Sequence, residues 1–280
     1  MNALSLSVGA LATAVSQPLD FLKIKTFLIN EGIGITGKGY NMGYNPFKIF
    51  DNFFNRGYGT RSLYTGFSNA MLGRLSFLVG RNNTYRMFYD YFKPNKAVND
   101  LTYKEKALLS GVSSIVGSVL SNPFMIKYVR EVGDLGRKAK YHRLAESVRW
   151  NKGFLPYATR MFLLNTFLIG PYNSINEKLY VIFGDVFINR VISVFVASGL
   201  GALIATPFDS IRTRLMYQST RPEINRLQYR GLYDTWMRIV INEGFFSLFA
   251  GVKVAWAQMV VYTLSTIYLC DILIEGAKSR

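Results

Sequence analysis

Three segments of the chain share one pattern. They are Pro18-Leu19-Asp20-Phe21-Leu22-Lys23-Ile24-Lys25, Pro123-Phe124-Met125-Ile126-Lys127-Tyr128-Val129-Arg130 and Pro207-Phe208-Asp209-Ser210-Ile211-Arg212-Thr213-Arg214. The prolines stand 105 and 84 residues apart, and each follows an apolar stretch rich in small residues. A repeat on this scale requires each copy to build the same supersecondary unit, so it constrains the architecture before any single residue does. The copies also differ. The middle one has Met125 and Tyr128 where the others have an acid and a base.

Six stretches are long and weakly polar, roughly 2–25, 66–92, 105–129, 159–183, 187–213 and 252–275. A helix crosses a bilayer in about 20 residues, so all six qualify by length. Half of the 280 residues are hydrophobic, yet the mean hydropathy is only +0.14. That combination suits helices that are apolar on one side only. Ser110, Gly111, Ser113, Ser114, Gly117 and Ser118 crowd the third stretch, and Ser198, Gly199, Gly201 and Ala202 the fifth. Small residues at this density let helix backbones approach closely within a membrane. Gly9, Ser114 and Ser198 each precede a repeat proline by nine residues.

The connections divide by charge. Residues 130–158 and 214–250 are rich in Arg and Lys, whereas those around 93–104 and 184–190 are short and nearly neutral. Basic loops are retained on one side of a membrane, which predicts all long loops on one side and both termini on the other. Asn55-Arg56-Gly57, Asn151-Lys152-Gly153 and Asn242-Glu243-Gly244 recur in the long loops. Each is followed by an aromatic step, at Tyr64-Thr65-Gly66, Tyr157-Ala158-Thr159 and Phe249-Ala250-Gly251. A glycine opening a helix leaves bare backbone N–H groups, a ready anion site.

The net charge of +16 points to an anionic partner or field. A single cysteine, Cys270, permits no intrachain disulfide, and a single histidine, His142, permits no histidine-based metal cluster. No phosphate-binding loop, nucleophile elbow or metalloprotease motif occurs, so neither an enzyme nor a metal site is expected. Nucleic-acid binding is not expected either, because retention by anionic lipid accounts for the basic loops. The first residues carry no Arg or Lys and do not resemble a cleavable presequence.

Together these residues resemble the mitochondrial carrier family. Its repeat carries Pro-x-[Asp/Glu]-x-x-[Lys/Arg]-x-[Lys/Arg] on each odd helix, followed by a loop helix, an acidic-Gly step and an aromatic-basic-Gly step. The third repeat matches best, with Tyr229, Gly231 and Asp234 leading to Glu243-Gly244 and Leu248-Phe249-Ala250-Gly251. The resemblance covers about residues 5 to 275. It implies an all-α membrane protein with six transmembrane helices in three pseudo-repeats of two helices plus a short matrix helix. This is one domain over 1–280, with repeats of about 1–97, 98–184 and 185–280. It also implies the mitochondrial inner membrane, long loops in the matrix, and both termini in the intermembrane space. Cardiolipin would be held near Gly57, Gly66, Gly153, Gly244 and Gly251, with no other cofactor.

The resemblance assigns gates residue by residue. Pro18, Pro123 and Pro207 kink the odd helices. Asp20, Lys23, Asp209 and Arg212 form the matrix gate, which is lost at Met125 and Tyr128. In the family's cyclic pairing Asp209 meets Lys23, Asp20 meets Tyr128, and Arg212 meets Met125. The opposite gate would use Asp90 and Lys93, with Glu177 and Asp271 as remnants. Substrate contacts two turns into the even helices fall on Arg74 or Gly73, Thr166 and Gln258. Arg81 is an equal candidate, and Arg160 and Asn165 also stand near the cavity.

Both gates are incomplete. The favoured expectation is therefore a carrier fold that no longer transports and serves as a structural subunit of a larger inner-membrane assembly, such as a respiratory-chain or ATP synthase complex. The alternative is an active carrier exchanging an anionic metabolite by alternating access.

Overall fold

The computed structural model describes residues 3–30, 59–92, 102–135, 151–167, 180, 187–218 and 229–278. The described residues form helices α1 (Ala3–Asn30), α2 (Phe67–Phe92), α3 (Tyr103–Asp134), α4 (Phe154–Phe167), α5 (Phe187–Tyr217), α6 (Leu232–Glu243) and α7 (Val252–Lys278). Short 3-10 turns at Thr60–Tyr64 and Phe245–Phe249 precede α2 and α7. No strand occurs among the described residues. Five of the six apolar stretches correspond to α1, α2, α3, α5 and α7, and α4 covers the start of the sixth. Among the described residues three helical segments, Lys104–Asp134, Ile188–Tyr217 and Phe245–Ile272, are long and apolar enough to cross a membrane.

Local sequence explains the helix ends. Thr102 caps α3: its hydroxyl accepts the Glu105 N–H while the Glu105 carboxylate accepts the Thr102 N–H, a reciprocal capping box. Gly244 ends α6 at φ +89, a conformation that strongly favours glycine. The repeat prolines lie inside α1, α3 and α5, where each removes one backbone hydrogen bond.

The last base of each proline motif reaches the end of a later helix. Lys25 Nζ donates to the Leu135 carbonyl at 2.8 Å, just past α3. Arg130 Nε donates to the Met216 carbonyl at 3.3 Å, near the end of α5. Arg214 forks onto Glu243 in the last turn of α6. Basic groups are favourable at helix C-termini, where carbonyls lack intrahelical donors.

The long helices pack in chain order, α1 on α2, α2 on α3, α3 on α4, α4 on α5, α5 on α7, and α7 back on α1. The proline helices α1, α3 and α5 also touch one another. Polarity is inverted relative to a soluble bundle. Leu11 and Val15 of α1, Leu108 and Ile115 of α3, and Ile192, Leu200 and Leu203 of α5 face outward. Thr13, Ser113, Ser118, Ser193 and Thr206 are buried. These hydroxyls donate to carbonyls four residues earlier in their own helices, which makes their burial inexpensive. Gly80 and Gly117 meet where α2 crosses α3: a Cβ on Gly117 would lie 2.8 Å from the Phe77 carbonyl oxygen.

Candidate functional site

Beyond the prolines, α1, α3 and α5 converge on an apolar cluster that includes Phe21, Ile24, Met125, Tyr128, Val129, Tyr157 and Met216. Met125 and Tyr128, the residues in the charge slots of repeat two, are therefore core. An unpaired charge at either position would be costly to bury there.

Against this cluster lies a buried network of charges. Lys23 Nζ is 2.8 Å from Asp20 Oδ1 and 3.7 Å from Asp209 Oδ2. Arg212 reaches Asp209 at 3.6 Å and stacks on the Tyr157 ring, its guanidinium carbon 4.9 Å from the ring centre. Two further arginines join from even helices. Arg160 Nε of α4 is 2.7 Å from Asp209 Oδ1, and Arg74 of α2 is 3.8 Å from Asp20 Oδ2. Arg74 also lies over the Tyr262 ring at 5.0 Å, and Lys23 donates to Gln258 Oε1 at 3.4 Å. Asp20, Lys23, Arg160, Asp209 and Arg212 are each at most 5% exposed. Four cations thus surround two carboxylates. Ionisable groups inside a membrane helix bundle are expensive to bury and mark functional pathways.

The network is not fully hydrogen-bonded. Arg160 Nε approaches Asp209 closely but off the hydrogen-bond direction, and neither Asp209 oxygen accepts a well-directed hydrogen bond. Arg212 Nε likewise lacks a partner. Excess positive charge with unsatisfied donors in a low-dielectric centre favours an anion.

The expected pairings change at repeat two. Lys23 and Asp209 lie together, the pair that the cyclic rule of the resemblance implies. Tyr128 does not serve Asp20; its hydroxyl accepts from Gln17 Nε2 at 3.1 Å, and Arg74 takes the place beside Asp20. Arg212 does not meet Met125 but turns to Asp209 on its own helix. Met125 instead packs against Gly73, where a Cβ would lie 2.8 Å from its sulfur.

Of the substrate-contact candidates, Arg74 and Gln258 lie in the network. Thr166 sits against Gly111 in the contact between α3 and α4 and does not join it, because glycine there leaves room for its hydroxyl. Arg81 donates to Asn165 Oδ1 at 3.1 Å and ties α2 to α4. Arg160 enters the centre because α4 begins directly after Gly153, whose φ is +64. In the other repeats a 3-10 turn intervenes between Gly59 or Gly244 and the long helix. That missing turn is not marked by any motif.

At the opposite end of the bundle Asp90 is exposed on α2. Asp271 of α7 pairs with Arg190 in the first turn of α5 at 3.1 Å, a partner outside the family pattern. Lys93, Glu177 and Gly57 lie outside the described residues. Gly66, expected at a lipid phosphate, has the Glu131 carboxylate against it, and that carboxylate accepts from Asn69 Nδ2 at 2.7 Å. Its own acid already serves the first turn of α2. Gly153 packs against Met216 and Gly251 against Phe27, whereas Gly244 has open space around it.

Comparisons with known proteins agree with this picture. The family profile described as "Mitochondrial carrier protein" matches residues 184–277. A macronuclear solute carrier homologue of Oxytricha trifallax is 26% identical over 284 residues, covering 94% of this chain and 76% of the relative. A probable mitochondrial 2-oxoglutarate/malate carrier protein of Dictyostelium discoideum is 23% identical over 296 residues, covering 97% and 88%. The mitochondrial 2-oxoglutarate/malate carrier protein of Mus musculus is 23% identical over 192 residues, covering 62% and 60%. With three proline-bearing helices around one buried ion-pair centre, the chain is similar to the mitochondrial carriers in its third repeat by profile and along most of its length by these relatives.

Proposed function

We propose that this protein is an active carrier that exchanges an anionic metabolite across the mitochondrial inner membrane by alternating access. In this reading six helices cross the membrane in three repeats, the long loops lie in the matrix, and both termini lie in the intermembrane space. The observation that carries it is the buried cluster in which Lys23, Arg74, Arg160 and Arg212 outnumber Asp20 and Asp209. A centre with surplus positive charge attracts a polyanion, and each carboxylate that the polyanion brings can replace an aspartate on its arginine. The relatives named as 2-oxoglutarate/malate carriers support the same substrate class, small dicarboxylates.

The structural-subunit reading rested chiefly on the gate charges missing from repeat two, and also on the incomplete opposite gate. Arg74 and Arg160 bring cations to the centre from other helices, which removes its main motivation. The reading is tested by reconstituting the purified chain into liposomes loaded with 2-oxoglutarate or malate and following uptake of the radiolabelled acid. Uptake that depends on internal dicarboxylate is expected. No uptake of either acid, together with migration on native gels only within a larger complex, would return the balance to the subunit.

A further inference from the structure

We infer that the matrix-side gate of this protein bypasses α3 and is closed through the even helices on either side of it, with Arg74 as the substitute for the base missing at position 128. The inference rests on the carrier reading and adds the residues that hold the gate shut.

The argument turns on which ion pairs join different helices. Asp20 with Lys23, and Asp209 with Arg212, are pairs three residues apart on one helix. They neutralise charge but tie nothing together. Three contacts do cross between helices: Arg74 to Asp20 joins α2 to α1, Lys23 to Asp209 joins α1 to α5, and Arg160 to Asp209 joins α4 to α5. No ion pair of the cluster involves α3 among the described residues. Yet α3 packs along both α2 and α4, the two helices that supply the extra arginines. α1 and α5 are therefore paired directly, and the two neighbours of α3 are each tied to one of them, α2 to α1 and α4 to α5.

Local packing explains how Arg74 comes to serve Asp20. Met125 occupies the acid slot of repeat two and fills the space over Gly73. The next side chain on α2, Arg74, reaches Asp20, while Tyr128 is engaged by Gln17. Arg74 is thus a positioning residue for the gate. It is also the arginine that an entering carboxylate could draw away, which would release Asp20 and with it the bond between α1 and α2.

The test reads gate opening and not transport. In a Cys270→Ser background, a single cysteine replaces Ser121, one turn above Met125 on α3. Its labelling by a membrane-impermeant maleimide is followed from the loop side in proteoliposomes. Arg74→Gln should raise the labelling rate about tenfold, because breaking a buried charge pair is strongly unfavourable. Adding Tyr128→Lys, which returns the base to α3, should bring the rate back toward the parent, and Arg74→Lys should stay near it. Helix content by circular dichroism confirms that each variant is folded. Parent-like labelling of Arg74→Gln, or failure of Tyr128→Lys to reverse its effect, would overturn the inference. If the labelling pattern holds while the parent moves neither dicarboxylate, the carrier reading fails and the gate assignment stands. If dicarboxylate exchange is present but labelling is insensitive to Arg74, the gate assignment alone fails.

Discussion

Asp209 is the most heavily used side chain of the centre, since Lys23, Arg160 and Arg212 all fall within ion-pair distance of it. Replacing it by asparagine keeps the shape and removes the charge, leaving three buried cations around a neutral amide. Removing one partner of a buried pair costs about 3–5 kcal/mol, so Asp209→Asn should lower the thermal unfolding midpoint clearly in detergent. Asp90→Asn, on the exposed face of α2, should leave the midpoint within error. Residue by residue, the sequence made part of this centre legible. The offsets from Pro18 and Pro207, read with the cyclic pairing that the resemblance implies, placed Asp20, Lys23, Asp209 and Arg212 together, a helix fixing only that each acid and the base three residues on share a face. They say nothing of Arg160, which the sequence set near the cavity but not on Asp209, a contact that depends on a turn that repeat two lacks. They also paired Asp20 with Tyr128, because a cyclic rule carries no information about a neighbouring arginine such as Arg74. Arg190 was missed for a similar reason: it pairs with Asp271 across two helix ends that no motif connects.

At the scale of elements, the small residues read from the sequence became specific contacts. Gly117 is where α3 presses on the backbone of α2, so Gly117→Ala must push the helices apart. Overpacking of this kind costs about 1–3 kcal/mol, and the variant should melt earlier than the parent. Gly231→Ala is the matched control: its surroundings are open and its φ of 175 is ordinary extended backbone, so no loss is expected. The loop helix α6 makes a prediction in pH. Its first-turn Asp234 accepts from Arg238 at 2.8 Å and from the Arg230 N–H at 3.0 Å, and these bonds hold its carboxyl below the usual 3.8. A depressed folded value means that the contribution is present above pH 3.8 and is lost as pH falls through the lower value. The protection of the α6 amides, taken relative to their intrinsic exchange rate at each pH, should therefore fall on acidification across that window, and Asp234→Asn should abolish the change. The two other loop helices expected from the repeat lie outside the described residues, so α6 alone carries this comparison.

For the whole molecule, the three prolines mark one repeated helix, and the differences between the copies show where this chain departs from the repeat. Repeat two has exchanged its gate charges for core: Met125 and Tyr128 are packed among apolar side chains, and cations arrive from α2 and α4. Reading the copies by offset alone suggested an abandoned gate, because an offset compares a position with its equivalents and not with its neighbours in space. In three dimensions the charge has moved. In the proposed carrier such a centre must be strong enough to seal and weak enough to reopen, and its surplus of positive charge would make an anion the key. The most direct test is uptake of radiolabelled 2-oxoglutarate or malate into liposomes carrying the parent or the Asp209→Asn chain, loaded with dicarboxylate or left empty. The account predicts that the parent takes up label only into loaded liposomes and that Asp209→Asn loses about tenfold or more of that exchange. A folded parent that moves neither acid, or an Asp209→Asn variant that exchanges at the parent rate, would contradict it.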